Sequence, residues 1–434
     1  MAAAVPESVM PGPSNGEQFV LELINDARLN PLGDASRYIA SYSPLIASNP
    51  SIQQALTVFG VSGASLLSQF TALTPAAPLA WSEQLAAAAL GHDAAMIGAD
   101  QQSHQVAGEA DLVGRADAAG YTGWTALAEN IFAYAVSPLY AHAGFMVDWG
   151  QGPGGMQDPP GHRQSIMDSG LREVGIGIVS ESSPSTDVGP LVTTEAFGSR
   201  FNSGSFILGA AYNDIINDDF YTVGEGVGSL TVSLGGASVV SWDSGGYTLQ
   251  TFATGAQTVV FSGAGLAAPV AVAVTLGQAS NLKLDIVNGA ELWTSASVVV
   301  SGPITLISGL GLQGLSLTAP GAGDRRIDGS GGGDTIRGGD GADFVRALNG
   351  NDLVDGSAGN DDVNGNLGLD TVRGGDGADW VRGGQGNDQV YGDAGDDPHV
   401  NGNIGDDLVF GGQGNDTLFG GQNADSLYGE DGDD

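Results

Sequence analysis

A strict period of nine residues governs the C-terminal end of the chain and constrains its fold more than any other feature. GGDGADWVRGGQGNDQVY, residues 374–391, is two such units end to end. Each has Gly at its first, second and fourth places, Asp at the sixth and Val at the eighth. Asp334, Asp343, Asp352, Asp361, Asp370, Asp379, Asp388 and Asp397 fall nine apart; after one extra residue the series resumes at Asp407, Asp416, Asp425 and Asp434. The eighth place is apolar throughout, from Ile336 and Val345 through Val381 and Val390 to Leu418 and Leu427. A fixed period of this length marks a solenoid, in which no unit can bury its apolar face except against the next.

The residue types at each place carry a chemistry. Gly permits tight loops with positive φ, and an Asp beside backbone carbonyls offers the hard oxygens that suit Ca²⁺. One small apolar residue in nine buries too little to offset chain entropy. Residues 324–434 also hold 24 acidic side chains against 6 arginines. Such a segment is expected to be disordered without a cation and folded with one, binding energy becoming folding energy. These units resemble the RTX repeats of proteins exported by Gram-negative type I secretion. The resemblance implies a parallel β-roll with calcium held at Asp334, Asp343, Asp352, Asp361, Asp370, Asp379, Asp388, Asp397, Asp407, Asp416 and Asp425. Two departures stand out. GDAGDDPHVN has ten residues and contains Pro398, which predicts a bulged coil, and Asn423 replaces a fourth-place Gly as a residue tolerant of left-handed backbone. The chain stops at Asp434 inside a unit, without the C-terminal secretion signal that RTX proteins carry, so a truncated repeat domain is expected.

Charge narrows the partners. With 50 acidic and 13 basic side chains, a formal charge of −37, the chain is unsuited to nucleic acid or anionic lipid, which are held by Lys and Arg. There is no Cys, hence no disulfide framework. The N-terminal MAAAVPESVMPGPSNGEQ has neither the basic nor the apolar region of a Sec signal, and no apolar run is long enough to span a bilayer. A monomeric, secreted protein exported by a type I-like route is expected.

The first part of the chain mixes helix and strand. EQFVLELINDARLNP spaces Phe19, Val20, Leu23, Ile24 and Ala27 at helical intervals and ends at Pro31. A second, Ala-rich helix starts from a Ser82 cap. VGIGIVS and LVTTEAFG read as strands, and the insert between the helices, SYSPLIASNP to LTPAAP, as partly helical. Four stretches recur in a known order: SH within 100–121, LAENIFAYA (127–135), AHAGFMVDWG (141–150) and PPGHRQSIMDSGLREVGIGIV (159–179). With the entry helix they resemble the CAP superfamily of cysteine-rich secretory proteins, antigen 5 and pathogenesis-related proteins, in its Cys-free bacterial SCP-like branch. The resemblance implies an α-β-α sandwich with a cleft lined by His104, Glu129 and His162. Asp148 stands at the place of a second acid. Two imidazoles with one or two carboxylates can hold Zn²⁺ or Mg²⁺, or work as an acid/base pair. Asn130 and Arg163 are expected to brace the cleft, Trp81 and Trp149 to be core, and His92 and His142 to be ordinary helix residues. No Ser or Cys nucleophile accompanies these motifs, so hydrolysis would be metal- or water-driven.

Between these parts, SLTVSLG, GYTLQTF, QTVVFSG, VAVAVTLG and LKLDIV are short alternating strands, the texture of a small β-sandwich. The loop before them, YNDIINDDFYTVGEG, gathers Asp214, Asn217, Asp219 and Glu225, which could hold a further Ca²⁺ or form a solvated turn. The expected organisation is a disordered N-terminus (1–14), a CAP domain (15–200), a β-sandwich spacer (201–290), a transition segment (291–323) and the roll (324–434). Three functions fit: a secreted calcium-binding protein displaying a CAP module with a His/Glu cleft on an RTX stalk; an extracellular divalent-metal-dependent hydrolase, nuclease- or protease-like; or a calcium-dependent adhesive or lipid-binding surface module.

Overall fold

The computed structural model describes residues 12–434, and the chain divides into two compact units. The expectation of an unstructured N-terminus falls, as far as residue 11, outside the described residues. Residues 12–203 form the first unit together with 215–229 and 241–248, two segments that the sequence reading placed in the middle domain. Phe220 explains one of these returns: it meets Phe19 edge-on at 6.1 Å and lies under the Arg37 guanidinium at 3.5 Å.

The first unit is an α-β-α sandwich. Its sheet runs in the order Ala80–Trp81, Glu173–Ser180, Leu191–Arg200 and Trp124–Ala135. The entry helix Asn15–Leu29 begins with a capping box between Ser14 and Glu17 and ends before Pro31. It shares one core with the helices Pro138–Val147 and Gly161–Met167 through Val20, Ile24, Phe145, Ile166 and Phe197. On the other face lies Glu83–Ala99, capped by Ser82 as expected, with Leu85, Ala89 and Met96 in two smaller clusters. The EVGIG stretch makes this second contact possible. A Cβ on Gly175 would overlap the Ala86 amide nitrogen, so only glycine lets the Ala-rich helix settle on the strand. The insert supplies a small hairpin and the helices Pro50–Phe59 and Gly63–Thr71.

The second unit comprises 204–214, 230–240 and 249–434, in two sheets of 11 and 12 strands. Antiparallel hairpins open it, Thr231–Leu234 with Ala237–Val240 and Gly255–Ser262 with Val270–Leu276. From Glu291 onward each strand pairs in parallel with the next but one, and successive strands alternate between the sheets. One sheet stacks Leu292, Ile307, Ile327, Val345, Val363, Val381, Val400 and Leu418; the other stacks Leu317, Ile336, Val354, Val372, Val390, Val409 and Leu427. Residues 291–323, read from sequence as a transition segment, are therefore already wound as solenoid. Their turns vary in length, which hides the period. The valines are wholly buried, one to each half-turn.

The ten-residue unit is absorbed ahead of its strand. Trp380 still pairs with His399 and Val381 with Val400, so Pro398 lengthens the loop and leaves the ladder in register. Asn423 adopts φ +85°, the left-handed conformation expected of it. Among the described residues no helix is long and apolar enough to cross a membrane.

Candidate functional site

The aspartates of the nine-residue units form two files along the roll. The Asp343 amide donates to Asp361 Oδ1 at 2.7 Å, the Asp361 amide to Asp379 at 2.7 Å and the Asp379 amide to Asp397 at 2.8 Å. Asp352, Asp370, Asp388 and Asp407 are linked in the same way. Each carboxylate thus spends Oδ1 on the backbone. Its Oδ2 is buried without a donor at Asp343, Asp352, Asp361, Asp370, Asp379, Asp388, Asp397, Asp407 and Asp416. Against it lies the first-place glycine, whose surroundings leave no room for a Cβ. A Cβ built on the first-place Gly374 would overlap both Asp379 Oδ2 and the Gly392 carbonyl, and the same pairing recurs at Gly338, Gly356, Gly365, Gly383 and Gly411. A buried carboxylate oxygen without a donor calls for a proton or a cation. The carboxyls respond accordingly. Burial, opposed by the single amide hydrogen bond, pushes Asp352, Asp379 and Asp388 up to about 7, and Asp343, Asp361 and Asp397 up to about 6.

The ends of the files differ. Asp334 has both oxygens satisfied by the amides of Leu315 and Ser330 and the Ser330 hydroxyl, so the protein itself fills the role left open elsewhere. Asp425 accepts from the Asp407 amide at 3.1 Å and is only half-buried.

In the first unit the cleft residues come together as two pairs. His104 Nδ1 lies 3.0 Å from Glu129 Oε2, with the imidazole exposed and the carboxylate buried. Burial alone would raise Glu129; the His104 hydrogen bond and the Arg115 guanidinium outweigh it and hold the carboxyl below its ordinary value. His162 Nδ1 lies 2.8 Å from Asp148 Oδ1, and the His162 amide donates to Asp148 Oδ2 at 3.0 Å. Asp148 caps the helix Pro138–Val147 in the left-handed region, φ +57°, fully buried. Asn130 does brace the site, donating to the His162 carbonyl at 3.1 Å and to Glu195 Oε2 at 2.9 Å. Arg163 instead reaches the Met146 carbonyl and the Gln69 side chain. Trp81 and Trp149 are core.

One expectation is corrected here. Among the described residues no three His, Asp or Glu side chains converge as a metal would need, so the Zn²⁺ or Mg²⁺ expected at His104 and His162 finds no ligand set. Each imidazole is taken one-to-one by a carboxylate, and Glu129 is already neutralised by Arg115. The loop with Asp214, Asn217, Asp219 and Glu225 is tied by hydrogen bonds of its own. Glu225 accepts the amides of Ile215, Ile216 and Thr222, while the Asp214 amide donates to Asn288.

Sequence reasoning missed the companions. His92 is wholly buried, its Nδ1 2.9 Å from Glu109 Oε2 and its Nε2 4.0 Å from Glu129. His142, also buried, pairs with Asp34 at 2.9 Å, and the Tyr38 hydroxyl donates to the same carboxylate. The available signal was position: both histidines fall on helix faces otherwise filled by apolar residues, where an imidazole needs an acid.

Comparison with known proteins agrees with both halves. The cysteine-rich secretory protein family, CAP, matches residues 21–194, and the RTX calcium-binding nonapeptide repeat matches 328–363, 364–397 and 401–434. No curated protein matches the chain. Among solved structures, an extracellular protein containing a SCP domain from Bacillus anthracis str. Ames shares 20% identity over 36% of this chain and 46% of its own, with a TM-score of 0.22. This chain thus covers under half of that protein's length. From these matches and the folds described, the chain carries a CAP domain in its first unit and RTX calcium-binding nonapeptide repeats in its second.

Proposed function

We propose that this is an extracellular protein whose RTX roll folds on calcium and whose CAP domain offers a binding cleft without a resident metal. The observation that carries the first half is the two files of buried Oδ2 atoms without a donor. Each offers Ca²⁺ a hard carboxylate oxygen that no donor of the chain takes. Asp343, Asp352, Asp361, Asp370, Asp379, Asp388, Asp397, Asp407 and Asp416 are the side-chain ligands in this reading, and Asp334 is not. Calcium binding at this many coupled sites makes the roll cooperative, since each file adds ties between turns that the strand ladders already join.

For the cleft, the one-to-one pairing of His104 with Glu129 and His162 with Asp148 favours binding over divalent-metal hydrolysis. Export by a type I-like route fits the calcium dependence, since cytosolic calcium is too scarce to fold such a roll early. Calorimetric titration of calcium into the chelated chain, followed by circular dichroism, tests the reading. Several sites and a coil-to-β transition are expected; a spectrum indifferent to calcium would refute it. Zinc added to the calcium-loaded chain should give no site lost in His104→Ala or His162→Ala.

A further inference from the structure

His162 opens on a cavity of about 200 Å³ inside the first unit, and its wall is unusual for that size. Five aromatic side chains line it: Phe59, Phe132, Tyr134, Phe145 and Trp149. Phe145 lies 5.2 Å from the His162 ring and 6.1 Å from Phe132, centroid to centroid. Gly144 lets the box close, since a Cβ there would come within 2.9 Å of the Phe132 ring and 3.1 Å of Trp149. The polar members are two amides, Gln102 and Gln157, and His162. No Lys, Arg, Asp or Glu reaches the wall. The imidazole brings its own counter-charge, the buried Asp148 carboxylate 2.8 Å away.

That lining selects among ligands. An anion finds no cation to meet it. A sterol, an acyl chain or a folded peptide needs the several hundred Å³ typical of such sites. A compact ion such as ammonium or Na⁺ finds no carboxylate to replace its water. What aromatic faces without a carboxylate accept is a cation that is large, weakly hydrated and clothed in methyl groups, attracted by the ring quadrupoles. The formal charge of −37 adds a field of the right sign. We propose that this cavity binds a quaternary ammonium group. Its source, a free choline-like solute or the headgroup of a choline lipid, shares that chemistry. The site is independent of the calcium reading, since every residue of the wall lies in the first unit.

The test uses the calcium-loaded full chain. Titration with choline chloride, against sodium chloride at equal ionic strength, is followed by calorimetry and tryptophan fluorescence. The neutral isostere 3,3-dimethylbutan-1-ol, which has the same shape, serves as the comparison. Choline should bind at least about tenfold more tightly than the isostere if ring quadrupoles supply the attraction. Tyr134→Leu, at a half-exposed position that the core does not depend on, should weaken choline about three- to tenfold with the circular dichroism unchanged. Co-sedimentation with phosphatidylcholine but not phosphatidylglycerol vesicles would assign the cation to lipid; choline binding without it would assign a free solute. Equal binding of choline and isostere, binding of neither, or a Tyr134→Leu variant with undiminished affinity would each overturn the proposal.

Discussion

Asp379→Asn should act with opposite sign in the two calcium states. Asp379 is fully buried, with Oδ1 accepting the Asp361 amide at 2.7 Å and Oδ2 unpartnered. Burial, opposed by that hydrogen bond and reinforced by the carboxylates of Asp361, Asp397 and Asp393, pushes it up to about 7. A carboxyl raised in the folded state stabilises the fold below its unfolded pKa, near 3.8, and loses that contribution as pH rises through about 7. At pH 8 without calcium the ionised group opposes folding. The shift of about three decades sets a ceiling of about 4 kcal/mol, and solvent reaching the loops reduces it to about 2 kcal/mol. Asparagine keeps the Oδ1 acceptor and carries no charge to bury. The assay is circular dichroism in chelator as pH is raised. The wild-type β signal should be present at about pH 4 and fall as pH rises through 6–7, with Asp379→Asn moving the midpoint upward. In calcium, the same variant should need more calcium to fold, having lost a ligand. A variant that is destabilised equally with and without calcium would refute the reasoning, because the aspartate would then be a hydrogen-bonding residue and no more.

Four further outcomes follow from the packing. Val381→Ala removes two buried carbons from a file in which each half-turn has one apolar residue, and should cost about 2 kcal/mol, read as a higher calcium midpoint. Gly386→Ala should be worse, because φ is +135° there and the new Cβ would overlap the Gly368 carbonyl; Gly384→Ala should be costly for the same reason, since φ is +119° and its Cβ would fall 2.2 Å from the Asn366 carbonyl oxygen. Glu195 is wholly buried, and burial raises it to about 7, so the melting temperature of the first unit should fall as pH rises through 7 and flatten in Glu195→Gln. His162→Ala, which strands the buried Asp148, should cost about 2 kcal/mol more than His104→Ala, whose imidazole is exposed; thermal melts of the two variants decide it.

What could be read from sequence depended on whether position in the chain reports position in space. In the roll it does. An inward residue recurs every nine, so the aspartate files and the valine core were visible as spacing, and only the irregular turns from Glu291 to about residue 323 escaped. In the first unit the motifs located His104, Glu129, Asp148 and His162, yet could not say how they pair. That pairing is set by residues far away in the chain: Arg115 takes one carboxylate, and a left-handed turn at Asp148 delivers the other. Asp34 and His142 are 108 residues apart, and nothing local in either announces the other. The return of 215–229 to the first unit includes the contacts of Phe220 with Phe19 and Arg37, which no local pattern in the loop announces.

Pro398 has a consequence for how such a protein changes over time. The two family matches around it stop at 397 and resume at 401, so a count kept on the outer loops breaks there. A count kept on the inner rungs does not, because Val390, Val400 and Val409 continue without a gap and the aspartate files simply reach one residue further, 19 instead of 18. Insertion at the joint between the sixth and seventh places is therefore nearly invisible to the core. That joint is where the roll can gain residues, and with them new surface chemistry, without renegotiating its fold; a short peptide tag placed after Asp388 or Asp407 should be carried as quietly as this proline is.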